Sequence, residues 1–154
     1  RREILLNATP RRGPKNEVLG VFCVGQEITE LNKHRLKSDR IAHDLNQLID
    51  TANAPIFSTD KNYNIDEWNG WVAKKSGWRK DEVKGKPLTN YIQPEIHNVV
   101  SNVIKDAALG KSTSNFELQL TTLDQDKPVC LLMSATPRLG SQGEVVGVIY
   151  AGQD

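Results

Sequence analysis

The passage LLNATPRRGPKNEVLGVFCVGQE occupies residues 5–27, and a second passage, LMSATPRLGSQGEVVGVIYAGQD, occupies residues 132–154. The two passages align without a gap, and 12 of the 23 aligned pairs are identical. Internal repetition of this density indicates that one structural piece is used twice, and a missed repeat leads to the wrong fold. The duplicated passage is therefore the first guide to the fold of this chain.

Each copy of the passage has the pattern of two β-strands. The apolar, β-prone runs EILLNATP and PVCLLMSATP stop at a proline, which cannot donate to a β-ladder. A polar segment that contains Gly13 or Gly140 follows, and then a second β-rich run, EVLGVFCVG or EVVGVIYAG. Two such runs joined by a glycine-containing connection predict an antiparallel hairpin at each end of the chain.

The bulk composition favours a soluble globular protein. The chain has 154 residues, 38% hydrophobic and 25% charged, enough for one domain of ordinary size and a short appendage. The net charge of +1 argues against attraction to nucleic acid or to an anionic membrane, and no apolar run has the length of a membrane span. Cys23 and Cys130 lie in predicted strands and form no CxxC pair, which indicates two reduced, buried thiols and a cytoplasmic location.

Residues 27–53 predict one long helix, because this segment lacks glycine and proline and is rich in helix formers. Its positions at 3-4 spacing form a seam that is apolar in the second half and contains His34 and Ser38 in the first half. The alternatives are a packed surface helix, a two-stranded coiled coil and a straight connector between domains. In the coiled-coil interpretation, the dimer contacts are Leu31, Ile41, Leu45 and Leu48.

The rest of the chain alternates strands and helices in a definite order. Strands are predicted over residues 55–59 and 63–68, followed by short helices that Gly77 and Pro87 interrupt. An amphipathic helix is predicted from Pro94 to a stop at Gly110, and then a strand with one wet side. A turn over residues 123–128 leads into the second hairpin. Strands at both ends with helices between them predict an α+β fold, an antiparallel sheet covered on one face.

Residues 56–87 contain a set of short motifs that resembles the opening of a PAS domain. The set comprises a strand pair, Asn69 at the start of the first short helix, Gly77-Trp78, Glu82, and Gly85-Lys86-Pro87. The passage GEVVGVIYAGQD resembles the last strand of the same family. The resemblance implies a five-stranded antiparallel sheet with helices on one face, here preceded by a β-hairpin and a long linker helix.

The resemblance also implies a division of the chain into three parts. Residues 1–29 resemble the last hairpin of a preceding PAS repeat, and VGQEIT resembles the Asp-Ile-Thr ending of the family, with Glu27 in place of the aspartate. Residues 30–50 are expected to form a linker helix, and residues 51–154 a complete PAS domain. The chain is then a fragment of a tandem array.

No cofactor is predicted, and flavin is the least expected. In the light-oxygen-voltage branch of the family a cysteine reacts with flavin, and Leu88 stands at the matching position here. Thr121, Leu131 and Ile149 align with the amide residues that hold flavin in that branch. The alternative is a haem or small-metabolite sensor, because His97 lies where haem-binding members place the iron ligand; a plain helix-end histidine is the competing interpretation. The candidate pocket residues are His97, Phe116, Leu118, Leu132 and Ile149.

The sequence contains no arrangement of residues that is typical of a catalytic or metal site. The expected function is therefore that of a sensory or regulatory PAS module from a multi-PAS signalling protein, and not that of an enzyme. A homodimer through the linker helix, the N-terminal hairpin or both is expected, with adjacent PAS domains and a kinase or cyclase output domain as further partners.

Overall fold

The computed structural model describes residues 2–124 and 127–154. The chain forms two compact units, and the division between them lies after Leu45. The predicted domain bounds at residues 29 and 50 stay a prediction. The turn predicted over residues 123–128 includes residues 125 and 126, which lie outside the described residues. The elements are β1 (Ile4–Arg12), β2 (Val18–Glu27), α1 (Thr29–Thr51), β3 (Ile56–Asp60), β4 (Ile65–Trp68), α2 (Gly70–Ser76), α3 (Lys80–Val83), α4 (His97–Ala108), β5 (Thr113–Leu120), β6 (Val129–Leu139) and β7 (Val145–Gln153), with 3-10 turns at Leu88–Tyr91 and Pro94–Ile96.

The first unit begins with the hairpin of β1 and β2. Leu5 lies opposite Gln26, and the register shifts between Arg11 and Arg12. The connection closes with a hydrogen bond of 2.8 Å from the Gly13 N–H to the Glu17 carbonyl. The predicted N-terminal hairpin is therefore present.

The hairpin of β6 and β7 in the second unit repeats this geometry. Leu132 lies opposite Gln153, and the register shifts between Arg138 and Leu139, at the same positions as in the first copy. The Gly140 N–H donates to the Glu144 carbonyl, also at 2.8 Å. The prediction that the two passages fold alike is confirmed down to the residue pairs and the bulge.

The start of β1 is joined to the start of α1 by hydrogen bonds around Glu3. The Glu3 N–H donates to the Thr29 hydroxyl at 2.8 Å, and the Ile28 N–H donates to the Glu3 carbonyl at 2.9 Å. The side chain of Asn32 also donates to the Glu3 carboxylate. These bonds fix the point at which the helix leaves the hairpin.

The second unit contains a five-stranded antiparallel sheet in the order β4-β3-β7-β6-β5. The helices pack on one face of it, as predicted. Alternation along the strands sends every second side chain to this face. The largest fully buried side chains include Phe57, Ile65, Trp68, Leu118, Leu131, Met133 and Tyr150.

The first short helix ends where the sequence predicts, whereas α3 ends at Val83, before the predicted break at Pro87. Gly77 ends α2 in the left-handed conformation with φ of 80°, which a glycine adopts without steric cost. The predicted helix from Pro94 begins as a 3-10 turn and continues as α4 from His97. Val99 in the first turn of α4 is exposed.

The prediction of two buried cysteines is wrong. Both thiols are free and exposed. Cys130 precedes Leu131, whose side chain is buried, so alternation turns the cysteine to the open face of the sheet. Cys23 is exposed because both faces of the first hairpin are open in its unit.

Candidate functional site

The C-terminal end of α1 belongs to the second unit and is held there by one buried amide side chain, that of Asn69. This side chain is fully buried, and it makes four hydrogen bonds to the backbone. Its oxygen accepts from the Val72 N–H at 3.1 Å, which caps α2, and from the Ile56 N–H at 3.3 Å, which starts β3. Its nitrogen donates to the carbonyls of Ile49 at 3.1 Å and Ala54 at 2.9 Å.

The bond to Ile49 matters because the last carbonyls of a helix have no partner within the helix. Asn69 supplies one of these partners from outside α1. One side chain therefore joins the end of α1, the first strand of the sheet and the first turn of α2. We call this group of contacts, made by Ile49, Ala54, Ile56, Asn69 and Val72, the α1 junction.

Two further contacts make the α1 junction tight. A β-carbon on Gly70 would lie 2.8 Å from the Asp50 carbonyl oxygen, so only glycine allows the end of α1 to approach this closely. The Lys80 ammonium lies 2.7 Å from the Glu67 carboxylate and 3.9 Å from that of Asp50. A shift of the last turn of α1 would therefore disturb the backbone at α2.

The residues of the α1 seam are open to solvent. No residue of α1 is buried, and the predicted contacts Leu31, Ile41, Leu45 and Leu48 are between 51% and 68% exposed. At 1.5 Å per residue the 23 residues of α1 extend for about 35 Å.

A pocket of about 270 Å³ lies between α4, the turn at Leu88 and the β3–β4 connection. Its floor is apolar, from Leu88, Val100 and Ile104, and its rim carries His97 and Lys105. The Nε2 atom of His97 is buried and has no hydrogen-bond partner among the described residues. A buried polar atom without a partner is costly, so this atom favours a bound acceptor or donor.

The comparisons with known proteins agree on one family. The PAS fold family matches residues 43–154. The chain belongs to the PAS family. Phytochrome 1 of Selaginella martensii is 31% identical over 159 residues, covering 94% of this chain but 14% of the phytochrome, so the chain spans about a seventh of that relative.

Solved structures support the PAS fold with low sequence identity. The PAS domain of an HTR-like protein from Haloarcula marismortui matches with a TM-score of 0.66 and 15% identity, covering 80% of this chain and 98% of that one. A chain of the DhaR(N)–DhaL complex from E. coli matches with a TM-score of 0.63 and 15% identity, covering 98% of this chain and 55% of that one. These neighbours indicate the fold alone.

The predicted pocket residues do not share one site on the PAS sheet. Phe116 and Leu118 are buried on the helix-covered face. Leu132 and Ile149 are 38% and 40% exposed and lie on the open face, so the prediction that they line the inner face is wrong. His97 lines the α4 pocket with Leu88, which the sequence analysis singled out for another reason.

The PAS core holds a buried phenol that the sequence analysis missed. Burial raises the pKa of Tyr150 to about 12, and the nearby Thr59 hydroxyl partly opposes this rise. Neither hydroxyl has a partner in hydrogen-bonding geometry among the described residues. The phenol is therefore neutral at physiological pH, and Phe57 stacks on its ring at 4.7 Å between centroids.

Residues 2–124 and 127–154 contain no group of three or more histidine, cysteine or carboxylate side chains that could hold a metal ion. Within the same ranges, no helix combines the length and apolar character needed to cross a membrane.

Proposed function

We propose that this PAS domain is a sensory module that forms a homodimer through α1 and relays conformational change between its core and that helix. The observation that supports the proposal is the pair of hydrogen bonds from Asn69 to Ile49 and Ala54. Together with the bond that Asn69 accepts from the Ile56 N–H, they connect the end of α1 to the first strand of the PAS sheet. A movement in the PAS core would therefore be transmitted to α1 through these hydrogen bonds.

The exposed seam supports the dimer. Four large apolar side chains at heptad spacing, each more than half exposed, are an unusual surface for a helix without a partner. A second copy of α1 would cover them, and in proteins most of the stability of a helix comes from packing of its apolar face. Packing against a partner would therefore stabilise α1.

The polar seam residues supply the second state that a relay requires. His34 and Ser38 occupy seam positions in the first half of α1, where polar side chains lower the stability of the packing. The lower stability leaves two packing arrangements of α1 closer in free energy. A shift at the α1 junction would then favour one arrangement over the other.

Charge in the seam is expected to separate the dimer. In the variant Ile41→Asp a carboxylate would have to be buried between two helices, and we expect the equilibrium to move at least tenfold towards the monomer. Sedimentation equilibrium measures this, with wild type expected at twice the chain mass of 17.2 kDa. The matched control is His43→Asp, which places the same side chain on the opposite side of α1. A wild-type monomer, or an Ile41→Asp variant that stays dimeric, would rule out α1 as the dimer contact.

The parent protein is proposed to be a larger multi-PAS signalling protein with an output domain, and the role of this part to be regulatory, not catalytic. The long phytochrome relative, of which the chain spans 14%, supports a larger parent. A cytoplasmic location remains a prediction from the sequence.

A second candidate function is binding of a small metabolite in the α4 pocket, favoured by the unpartnered Nε2 of His97. The pocket volume of about 270 Å³ suits a small ligand with an apolar body and a polar or anionic end that meets His97 and Lys105. This volume lies just below the roughly 300–1,000 Å³ of most ligand pockets, which argues against haem.

Native mass spectrometry of the purified chain tests this candidate. A bound mass that disappears in the variant Ser101→Phe, which fills the pocket, is the expected result. The variant Asn102→Phe changes the neighbouring exposed position and should keep the ligand. A wild-type chain with no added mass after incubation with a metabolite extract would contradict binding at this site.

A further inference from the structure

The free edge of β2 carries a glycine for which the first unit offers no reason. A β-carbon on Gly20 would meet no atom within 4 Å. A glycine inside a strand is destabilising relative to alanine, so its presence calls for an explanation. The second hairpin supplies one.

Gly147 is the equivalent of Gly20 in the second hairpin, and there the glycine is required. A β-carbon on Gly147 would overlap the carbonyl oxygen of Thr59 in β3. Strand β3 pairs antiparallel with β7 at this point, with Asp60 opposite Gly147. The glycine therefore marks the position at which a neighbouring strand passes close to the hairpin edge.

A charged residue repeats in the same way. The Arg138 guanidinium pairs with the carboxylate of Asp66 on β4, the strand beyond β3. Arg11 stands at the same register position of the first hairpin, and it makes no ion pair among residues 2–124 and 127–154. Arg11 could therefore pair with a carboxylate on a docked strand that occupies the place of β4.

The apolar face of the first hairpin carries side chains that are buried at the equivalent positions of the second hairpin. Ile4, Leu6 and Val21 are between 59% and 68% exposed. Their equivalents Leu131, Met133 and Val148 are at most 3% exposed, under α4 and between β3 and β5. The side chains are of similar size in the two copies. The first hairpin therefore has the apolar side chains of a covered sheet face, but in its unit they are exposed.

We infer that the β2 edge docks a β-hairpin of the β3–β4 type: an apolar strand that passes Gly20, a turn, and a second strand whose carboxylate pairs with Arg11. The occupant is a PAS-type hairpin of the same parent polypeptide, from a unit of which β1 and β2 form the last two strands. The inference stands apart from the dimer and relay proposed for α1.

A synthetic peptide of residues 54–69, APIFSTDKNYNIDEWN, is the probe, because it is the β3–β4 hairpin that occupies the equivalent edge in this chain. Added to the ¹⁵N-labelled intact chain, it is expected to shift the amide resonances of Val18–Gly25 at about 1 mM peptide. The variant Gly20→Val should weaken this binding at least tenfold. Its side chain meets nothing in the free hairpin, so the β1–β2 cross-strand signals should remain.

A charge exchange tests the Arg11 contact. The variant Arg11→Glu should weaken binding of the peptide about fivefold, and a peptide with Asp66→Arg should restore it. No shift in β2 at about 1 mM peptide, or equal shifts in wild type and Gly20→Val, would overturn the inference. Concentration-dependent β2 shifts without peptide that vanish in Gly20→Val would also overturn it, because they would identify a second copy as the occupant.

Discussion

Replacing Asn69 with alanine is expected to lower the free energy of unfolding of the second unit by about 3 kcal/mol. The side chain makes four backbone hydrogen bonds and is fully buried. A net loss of roughly 0.5–1.5 kcal/mol per bond is usual. Alanine also leaves the Ala54 carbonyl without its side-chain donor, while the Ile49 carbonyl keeps only the Ala52 N–H. Urea unfolding followed by tryptophan fluorescence measures the change.

The control for this variant is Asn102→Ala, the same change at an exposed position of α4. It should alter stability by no more than about 0.5 kcal/mol. The variant Asn69→Asp keeps the acceptor oxygen but turns a second carboxylate oxygen towards the carbonyls of Ile49 and Ala54, so it should be at least as destabilised as Asn69→Ala. A loss below about 1 kcal/mol in Asn69→Ala would mean that the α1 junction is held by other contacts.

The second large effect is expected for Gly147→Ala, at about 3 kcal/mol of destabilisation. The added methyl group would overlap the backbone oxygen of Thr59, and a backbone atom cannot move aside as a flexible side chain does. The strands β3 and β7 would have to separate locally, next to the stacked rings of Phe57 and Tyr150. Thermal unfolding monitored by circular dichroism would record the loss.

The duplicated hairpin provides the matched control for Gly147→Ala. The variant Gly20→Ala makes the same change at the equivalent position, where no atom lies within 4 Å. We expect its stability to be unchanged or slightly higher, because alanine restricts the unfolded chain more than glycine does. If both variants unfolded alike, the close approach of β3 would not be the reason for the glycine.

The fold could be predicted from the sequence because several local signals agree. The duplicated passage predicted both hairpins, and strand alternation predicted that Phe116 and Leu118 lie on the covered face of the sheet. The run VCLLM, in contrast, offers apolar residues to both faces of β6. Which of these residues face the helices is set by the pairing of β6 with β5 and β7. The side of the sheet on which Leu132 lies could therefore not be read from the sequence.

The site was less predictable than the fold. Asn69 was recognisable from the family resemblance, but its bonds to Ile49 and Ala54 depend on where α1 ends and how the chain turns back. The α4 pocket combines His97 with the β3–β4 connection, which lies far away in the sequence. Tyr150 was missed because nothing in an apolar strand indicates that its hydroxyl lacks a partner.

Hydrogen exchange measured on wild type, Ile41→Asp and His43→Asp tests the coupling of α1 to the PAS core most directly. If α1 and the core are coupled through Asn69, Ile41→Asp should speed exchange along Thr29–Thr51 and also at the Val72 and Ala73 amides of α2. The variant His43→Asp should leave both regions unchanged. Faster exchange confined to α1, with α2 as protected as in wild type, would contradict the relay.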